Sequence, residues 1–203
     1  AKLVFFDNMY MYDPARFEHM TESTPIGPRN RKGAVRAEVF RLLWEEVESG
    51  RVEALVARAP DFIGTHNSVI GEMVLKNLAN GKRAMWPGSA NRIRNVTYPG
   101  DAAKATAMLG NTDDAYGQVW HVPSTPEKLT GKDWVELFAR ELEVRPRLTV
   151  LTPVVTRALG LFMPMMREFA EMMDQYTSDY FFDSAKFESR FGFKPLSSQE
   201  AVR

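Results

Sequence analysis

The sequence contains no cysteine, and this absence excludes several classes of chemistry. Disulfide bonds, thiolate nucleophiles and zinc sites built on thiolates all need a cysteine sulfur. Residues 1–6 also lack the basic start and the long apolar core of a signal peptide. Both absences fit a cytoplasmic protein, which is the location that we expect.

An excess of one charge is also lacking, because 26 Lys and Arg residues balance 26 Asp and Glu residues. A nucleic-acid-binding protein or a polybasic membrane anchor would rely on an excess of positive charge. The most apolar late stretch, residues 154–166, contains Arg157 and Pro164. It is also shorter than the ~20 residues that a membrane-spanning helix needs. The sequence therefore predicts neither a nucleic acid nor a membrane as partner.

Two binding motifs are missing as well. No Gly-x-Gly-x-x-Gly or Gly-x-x-Gly-x-x-Gly run occurs, and such glycine-rich turns let a backbone approach the pyrophosphate of a dinucleotide. We therefore expect that these 203 residues alone do not bind NAD or NADP with ordinary affinity. His19, His66 and His121 do not have the spacing of metal ligands, so no metal site is expected.

The composition that remains is that of an ordinary globular protein, with 44% apolar and 26% charged residues. Residues 3–6 form a continuous apolar run, which is typical of a strand covered on both faces. Apolar residues then recur at helical spacing over 33–49, and residues 54–57 form a second apolar run. Strand, helix and strand in this order predict a crossover unit in a parallel sheet.

The remainder of the chain is less regular but still mixes helices and strands. The patterns predict helices over 69–78, 102–109 and from Thr130 onwards, strands near 83–86, 94–98, 118–122 and 148–151, and a helical tail up to Tyr176. We therefore predict an α/β fold with a partial, doubly wound, Rossmann-like parallel sheet. Residues 1–65 would form the sheet domain. Residues 66–203 would form a small C-terminal α+β substrate-binding part that is interleaved with the last sheet strands.

Five short segments follow the order of motifs in one enzyme family. Residues 3–13 are similar to a strand that ends in Ser-Ser-x-x-Val-Tyr-Gly, and residues 24–36 to a helix start Thr-Pro-x-x-Pro-x-x-x-Tyr-Gly-x-Ser-Lys. Residues 58–64, 98–103 and 183–192 are similar to Arg-x-x-Asn-x-x-Gly, Tyr-Val-x-Asp-Val-Ala and a terminal Asp-x-x-Lys with Leu-Gly. Together they resemble the C-terminal two-thirds of the extended short-chain dehydrogenase/reductase family, of the NAD-dependent epimerase/dehydratase type. The resemblance implies that the glycine-rich first strands have no counterpart here.

The resemblance also implies a catalytic site with substituted residues. Asn8 stands at the position of the catalytic Ser or Thr, Lys32 at that of the Tyr and Arg36 at that of the Lys. In the family the Tyr exchanges a proton during hydride transfer, and the Lys supports it and holds the ribose. Asn8 could still donate a hydrogen bond. Lys32 as a cation could stabilise an oxyanion, and repulsion from Arg36 would favour the neutral amine that acid–base chemistry needs. The alternative is a solvated basic face that includes Arg29 and Arg31.

Other positions follow from the same resemblance. Pro60 and Arg36 would contact the cofactor, and Asp61 stands where the family has a substrate-contacting Asn. Tyr10 stands where the family contacts substrate and is a reserve acid, whereas Tyr12 matches a structural Tyr. For Asp61, a loop carboxylate that hydrogen-bonds its own backbone is an equal alternative.

Two functions are therefore open. The first is an NAD(P)-dependent epimerase/dehydratase- or reductase-like protein with a degenerate triad, a small-molecule substrate, and NAD or NADP bound by the intact protein. The second is a catalytically inactive ligand-binding or regulatory member of the same fold. In either case we expect a homodimer. An uncovered strand edge at residues 2–6 and an apolar helix face at residues 33–49 both favour association.

Overall fold

The computed structural model describes residues 1–65 and 68–203, with all of their side chains except those of residues 164, 165 and 168. The strands are β1 Lys2–Asn8, β2 Glu53–Ala59, β3 Ala84–Pro87, β4 Val119–His121 and β5 Leu148–Leu151. The helices are α1 Arg31–Glu48, α2 Lys76–Ala79, α3 Pro99–Gly110, α4 Gly131–Glu141, α5 Pro153–Gly160, α6 Pro164–Ala170, α7 Asp174–Thr177, α8 Ala185–Phe191 and α9 Ser198–Ala201. The structure is α/β, as predicted.

A parallel sheet of three strands in the order β1-β2-β4 forms the base of the molecule. Strand β1 pairs with β2 from Lys2 opposite Glu53 to Asn8 opposite Ala59, and β2 pairs with β4. Helix α1 connects β1 to β2, so the predicted strand–helix–strand unit is confirmed. In the described residues β1 pairs on one side only and forms an edge of the sheet.

Helices cover both faces of this sheet, which is the doubly wound arrangement. Leu55, Ala57 and Ala59 of β2 pack on one face against residues of α3 and α8. On the other face the guanidinium of Arg58 lies 4.9 Å from the ring centroid of Phe40 in α1. The alternation of residues along β2 therefore directs small apolar side chains to one helix layer and a buried charge to the other.

The part that follows β2 contains a second sheet and its own core. Strands β3 and β5 form a parallel pair, and a cluster of buried residues around Trp86, Trp134 and Phe138 packs beside it. Helix α4 begins with a capping box in which the side chain of Thr130 accepts a hydrogen bond from the backbone N–H of Asp133. Strand β4 lies in this part of the sequence but joins the first sheet. The predicted boundary between 65 and 66 adjoins residues 66 and 67, which lie outside the described residues.

Two local predictions differ from the structure, and the apolar face expected on the helix over 33–49 is exposed. Residues 94–98 form isolated bridges instead of a strand. The predicted helix over 69–78 contains the π-helical segment Gly71–Leu75. Helix α1 exposes apolar residues at helical spacing, with 56% of Val35, 37% of Val39 and 51% of Leu42 accessible. This face of α1 therefore contributes little to the core of a single chain. No helix within 1–65 or 68–203 combines the length and apolar character needed to cross a membrane.

Candidate active site at the strand ends

The candidate site lies where β1 and β2 end and α1 begins. Asn8 and Ala59 are paired at the carboxyl ends of the two parallel strands. The side chain of Asn30 caps α1 by accepting a hydrogen bond from Gly33 N–H at 2.8 Å. A Cβ atom built on Gly33 would lie 2.3 Å from the carbonyl oxygen of Tyr10. Glycine at this position therefore lets the first turn of α1 approach the residues that follow β1.

Two cavities lie side by side at these strand ends. A cavity of about 400 Å³ is lined by Asn8, Tyr10, Arg31, Lys32, Val35, Arg36 and Glu171. A second cavity of about 300 Å³ is lined by residues at the ends of both strands, among them Asn8, Tyr10, Arg36, Pro60, Asp61 and Ser68. Asn8, Tyr10 and Arg36 line both. They therefore form the wall that the two cavities share.

The turn after β1 orients Asn8 and Tyr10. The side-chain oxygen of Asn8 accepts a hydrogen bond from the backbone N–H of Tyr10 at 3.1 Å. The amide NH₂ of Asn8 is therefore the part of the side chain that would donate to a ligand. Burial, and to a lesser extent the nearby carboxylate of Asp61, raises the pKa of the Tyr10 phenol well above its ordinary value. Tyr10 is therefore a protonated hydrogen-bond donor at neutral pH.

A buried series of hydrogen-bonded polar side chains lies next to this turn. The guanidinium of Arg58 donates to Tyr12 Oη at 2.7 Å, and its Nη2 lies 3.3 Å from the carboxylate of Asp7. Tyr12 Oη lies 2.6 Å from Nε2 of His121, whose Nδ1 lies 2.8 Å from the carbonyl oxygen of Asp183. Because that carbonyl can only accept, Nδ1 carries the proton and Tyr12 donates to Nε2. The series ties the turn after β1 to the ends of β2 and β4.

Burial shifts the pKa values of the side chains in this series. It is the main cause that lowers the pKa of His121 well below its ordinary value and raises the pKa of Asp7. Burial also raises the pKa of Tyr12 to about 12, although Arg58 opposes that shift. The imidazole is therefore neutral at neutral pH, which agrees with its acceptor role toward Tyr12.

Asp61 takes part in a second buried cluster. Its carboxylate forms an ion pair with Arg94 and accepts a hydrogen bond from Tyr176 Oη at 3.2 Å. The Arg94 guanidinium lies 4.0 Å from the ring centroid of Tyr176 and 4.2 Å from that of Tyr180, and it donates to the Gln175 carbonyl at 2.6 Å. This cluster fastens α7 and the segment after it to the end of β2.

No protein-family model and no curated protein sequence matches this chain. Solved structures do match it. It is similar to dTDP-glucose 4,6-dehydratase from Bacillus anthracis in complex with NAD, with 17% identity and a TM-score of 0.76, over 99% of this chain and 59% of that one. It is similar to UDP-glucuronic acid 4-epimerase from Bacillus cereus in complex with NAD, with 13% identity and a TM-score of 0.76, over 99% and 58%.

A third similar structure is that of RMD from Pseudomonas aeruginosa complexed with NADPH, with 16% identity and a TM-score of 0.71, over 99% of this chain and 65% of that one. The chain has the fold of part of these proteins. The predicted resemblance is confirmed at the level of fold, including the partial Rossmann-like sheet. The chain spans less than two thirds of the length of each of the three structures, which contain NAD or NADPH.

The structure brings most of the predicted site residues together. Asn8, Tyr10, Arg36, Pro60 and Asp61 line the cavity of about 300 Å³, and Lys32 lines the adjoining one. The carboxylate of Asp61 pairs with Arg94, and among the described residues it accepts no hydrogen bond from its own backbone. The roles predicted for these six residues remain predictions.

Sequence reasoning missed the buried cations of the site. Arg58 is 1% exposed and Arg94 is 2% exposed, and neither was singled out as a site residue. The sequence signal for Arg94 was weak, since an arginine close to Arg92 and Asn95 is typical of a surface. No metal-binding group of His, Asp or Glu occurs among the residues that the structure describes, and His66 lies outside them.

Proposed function

We propose that this chain forms the substrate-side part of an NAD(P)-dependent epimerase/dehydratase- or reductase-like protein with a degenerate triad. The observation that carries the proposal is the cavity of about 300 Å³ at the ends of β1 and β2. It gathers Asn8, Arg36, Pro60 and Asp61 from two strand ends and one helix. Clefts at the carboxyl ends of parallel strands are the usual ligand sites of such sheets.

The residues present fit one end of the cofactor. Arg36 and the amide of Asn8 line a cavity of a size that accepts a ribose and a planar ring, and Pro60 offers an apolar surface. A dinucleotide would supply the hydride that is transferred. The glycine-rich turn that holds its pyrophosphate does not occur in these 203 residues.

Each residue has a defined task in this proposal. The amide of Asn8 donates a hydrogen bond to the reacting oxygen of the substrate, in place of a hydroxyl. Lys32 contributes positive charge where that oxygen becomes negative, and the protonated phenol of Tyr10 is the nearby proton donor. Arg36 holds the ribose end of the cofactor, one turn along α1 from Lys32.

A catalytically inactive ligand-binding protein of the same fold is the second candidate. Two observations favour it. Lys32 replaces the tyrosine of the resembling family, and the raised pKa of Tyr10 makes its phenol a weaker proton donor than an ordinary tyrosine. In that case the cavities would bind a ligand without hydride transfer.

Titration of the ¹⁵N-labelled chain tests the proposed cofactor site. We expect nicotinamide riboside and NADH to shift the same resonances, those of Asn8, Tyr10 and Gly33, with dissociation constants weaker than about 100 µM. Adenosine should leave these resonances unchanged, because the part of a dinucleotide-binding site that lies toward the adenosine half contains the glycine-rich turn. That turn does not occur in these 203 residues. Micromolar binding of NADH would contradict the expected weakness. A lack of any shift with riboside and NADH would overturn the proposal itself.

We also propose that the chain associates as a homodimer. Two sheet residues, Leu3 and Phe6, are each 42% exposed on β1, and α1 exposes Val39 and Leu42 on its outer face. Burying ~400 Å² of such surface would contribute on the order of 10 kcal/mol before the entropy of association is subtracted. The proposed contact is two-fold and uses the β1 edge or the α1 face.

A further inference from the structure

Helices α5 and α6 form a hairpin that contributes little to the cores of the molecule. None of the three clusters of buried apolar residues includes a described residue of α5 or of the turn that follows it. Helix α6 lies against one side of α5, because a Cβ built on Gly160 would be 3.0 Å from Cα of Arg167. The apolar side chains on the rest of α5 therefore have another environment than the cores.

The uncovered side of α5 is apolar. Val154 is 75% exposed, Val155 is 44% exposed and Leu159, one turn after Val155, is 37% exposed. Thr156 is buried instead, and its hydroxyl donates to the carbonyl oxygen of Thr152 at 3.1 Å. The helix thus has the amphipathic pattern in reverse, with a polar residue inside and apolar residues toward solvent. An exposed apolar face of this kind marks an interaction surface.

The turn after α5 exposes three consecutive apolar residues, which form the tip of the hairpin. Leu161 is 82% exposed, Phe162 is 85% exposed and Met163 is 44% exposed. Their backbone N–H groups are nevertheless all hydrogen-bonded, to the carbonyl oxygens of Ala158 and Leu159 at 2.9–3.2 Å. A segment that enters lipid needs its backbone polar groups satisfied within the protein. The three N–H donors of this tip meet that condition.

The charge around the tip is positive. Arg157 of α5 and Arg167 of α6 are exposed, and neither forms an ion pair with a described residue. Residues 144–167 contain four arginines and no acidic residue, and Glu168 and Glu171 follow. Of these two, Glu171 belongs to the lining of the cavity of about 400 Å³. The zero net charge of the chain therefore includes a local excess of positive charge on this hairpin.

We propose that the tip of this hairpin docks on an anionic membrane surface. The side chains of the tip and of the uncovered side of α5 would enter the boundary between headgroups and acyl chains, and Arg157 and Arg167 would pair with lipid phosphates. A protruding tip of consecutive apolar residues suits a fluid bilayer, whereas a protein partner would have to supply a matching pocket. The docking does not depend on the proposed cofactor site.

Surface docking differs from the membrane contacts that the sequence argues against. The balanced net charge argues against a polybasic anchor, and the length of residues 154–166 argues against a spanning helix. An apolar tip that enters the headgroup region needs neither, because apolar burial and a few cations act together. Vesicle binding would therefore overturn the expectation that no membrane is a partner.

Co-sedimentation of the whole chain with lipid vesicles tests the proposal. We expect binding to phosphatidylcholine vesicles with about 30% phosphatidylglycerol, and binding at least about tenfold weaker to phosphatidylcholine alone. Phe162→Glu should weaken binding to the anionic vesicles at least about tenfold, and Arg157→Gln about fivefold. Arg51→Gln is the matched control, because Arg51 pairs with Glu46 outside the hairpin, and it should stay within about twofold of wild type.

The lack of cysteine allows a probe at a single site. Phe162→Cys and Ile26→Cys each supply one thiol for an environment-sensitive fluorophore, and Ile26 is an exposed apolar residue outside the hairpin. On anionic vesicles the fluorescence of the probe at 162 should increase and shift to shorter wavelength, whereas the probe at 26 should not change. Thermal unfolding confirms that all variants are folded.

Four results would overturn the proposal. They are the absence of wild-type binding to anionic vesicles, equal binding by wild type and Phe162→Glu, unchanged fluorescence of the probe at 162, and equal binding to neutral and anionic vesicles. If vesicle binding is absent and Phe162→Glu also abolishes a dimer of the wild-type chain, the tip is a contact between two copies of the chain instead.

Discussion

The Cα of Gly33 lies so close to the carbonyl oxygen of Tyr10 that a Cβ on residue 33 would be 2.3 Å from it. The same Cβ would lie 2.7 Å from Cβ of Pro28. Neither neighbour is the end of a flexible side chain, so a side chain at 33 would have to push α1 away from the turn after β1. The distance between Lys32 and Asn8 across the cavity therefore depends on this glycine.

We expect Gly33→Ala to destabilise the protein by at least about 2 kcal/mol, although alanine is otherwise the better helix residue. Urea unfolding followed by circular dichroism measures the change. Gly64→Ala is the control, because its nearest contact would be Pro99 Cγ at 3.9 Å, and it should change stability far less. Equal effects of the two substitutions would show that the close approach at Gly33 is unimportant.

Replacing only one partner of the buried ion pair between Asp61 and Arg94 should lower the free energy of unfolding substantially. Asp61→Asn leaves the guanidinium of Arg94 buried without its countercharge, and we expect a loss of about 3 kcal/mol. The double variant Asp61→Asn with Arg94→Met should lose less than the sum of the two single variants, because neither charge then remains. Additive losses in urea unfolding would argue against this coupling. Arg51→Gln, at an exposed pair, should stay close to wild type.

The neutral His121 makes stability depend on pH. Its pKa is lowered in the folded state, chiefly by burial, so the unfolded chain takes up the proton first as the pH falls. The free energy of unfolding should therefore fall below about pH 6.5, by up to about 1.4 kcal/mol per pH unit from this group. The pKa of Asp7 is raised in the folded state, so at lower pH its protonation increases the free energy of unfolding as the pH falls.

The contribution of His121 can be isolated by substitution. His121→Gln should lower stability at pH 7, since it disturbs the hydrogen bonds to Tyr12 and Asp183. It should also make the free energy of unfolding depend less on pH between pH 7 and 5. Urea unfolding at several pH values measures both effects. An unchanged slope in the variant would show that another group controls this range.

Lys32 is the residue on which hydride chemistry would depend in the proposed enzyme. In an assay on the intact protein that follows NADH oxidation by a carbonyl compound, Lys32→Met should lower kcat by about 100-fold and leave the dissociation constant of NADH within about twofold. Lys82→Met, at an exposed turn, is the control and should leave kcat unchanged. Lys32→Tyr combined with Arg36→Lys rebuilds the residue pair of the resembling family and should raise kcat. Equal kcat for wild type and Lys32→Met would favour the inactive ligand-binding alternative.

The outer face of α1 is the surface to change in a test of dimerisation. We expect wild-type protein at about 100 µM to scatter light as a dimer. Val39→Glu with Leu42→Glu should yield a monomer, because both side chains are exposed on this face. Phe162→Glu removes an apolar residue that is 85% exposed elsewhere and should leave the dimer intact. A monomeric wild-type protein would exclude the proposed dimer.

Much of the first sheet could be predicted from the sequence because its signals are local. Apolar runs mark β1 and β2, and parallel strands end at one edge, so Asn8 and Asp61 had to lie close together. Residues 94–98 were misread because their backbone groups pair with several distant partners. Arg94 N–H donates to the carbonyl of Leu129, and the Arg94 carbonyl accepts from the indole N–H of Trp134.

The buried arginines could not be predicted for a related reason. Arg58 hydrogen-bonds to Asp7 and Tyr12, which are 51 and 46 positions away in sequence. The periodicity of apolar residues does not predict such distant partners. Without them a charged residue in a strand is expected at the surface. The exposed apolar face of α1 is the opposite situation. The pattern correctly predicts a helix there, but it does not predict which surface, if any, covers the apolar face.

The Arg94 cluster also bears on how the chain reaches its native state. Arg94 contacts Asp61, 33 positions before it, and Gln175, 81 positions after it, so its environment is complete only when three distant segments have met. Contacts of such large sequence separation incur loop-closure entropy before they stabilise anything, and they are associated with slow folding. The segment 175–180 is thus an integral part of the folding unit.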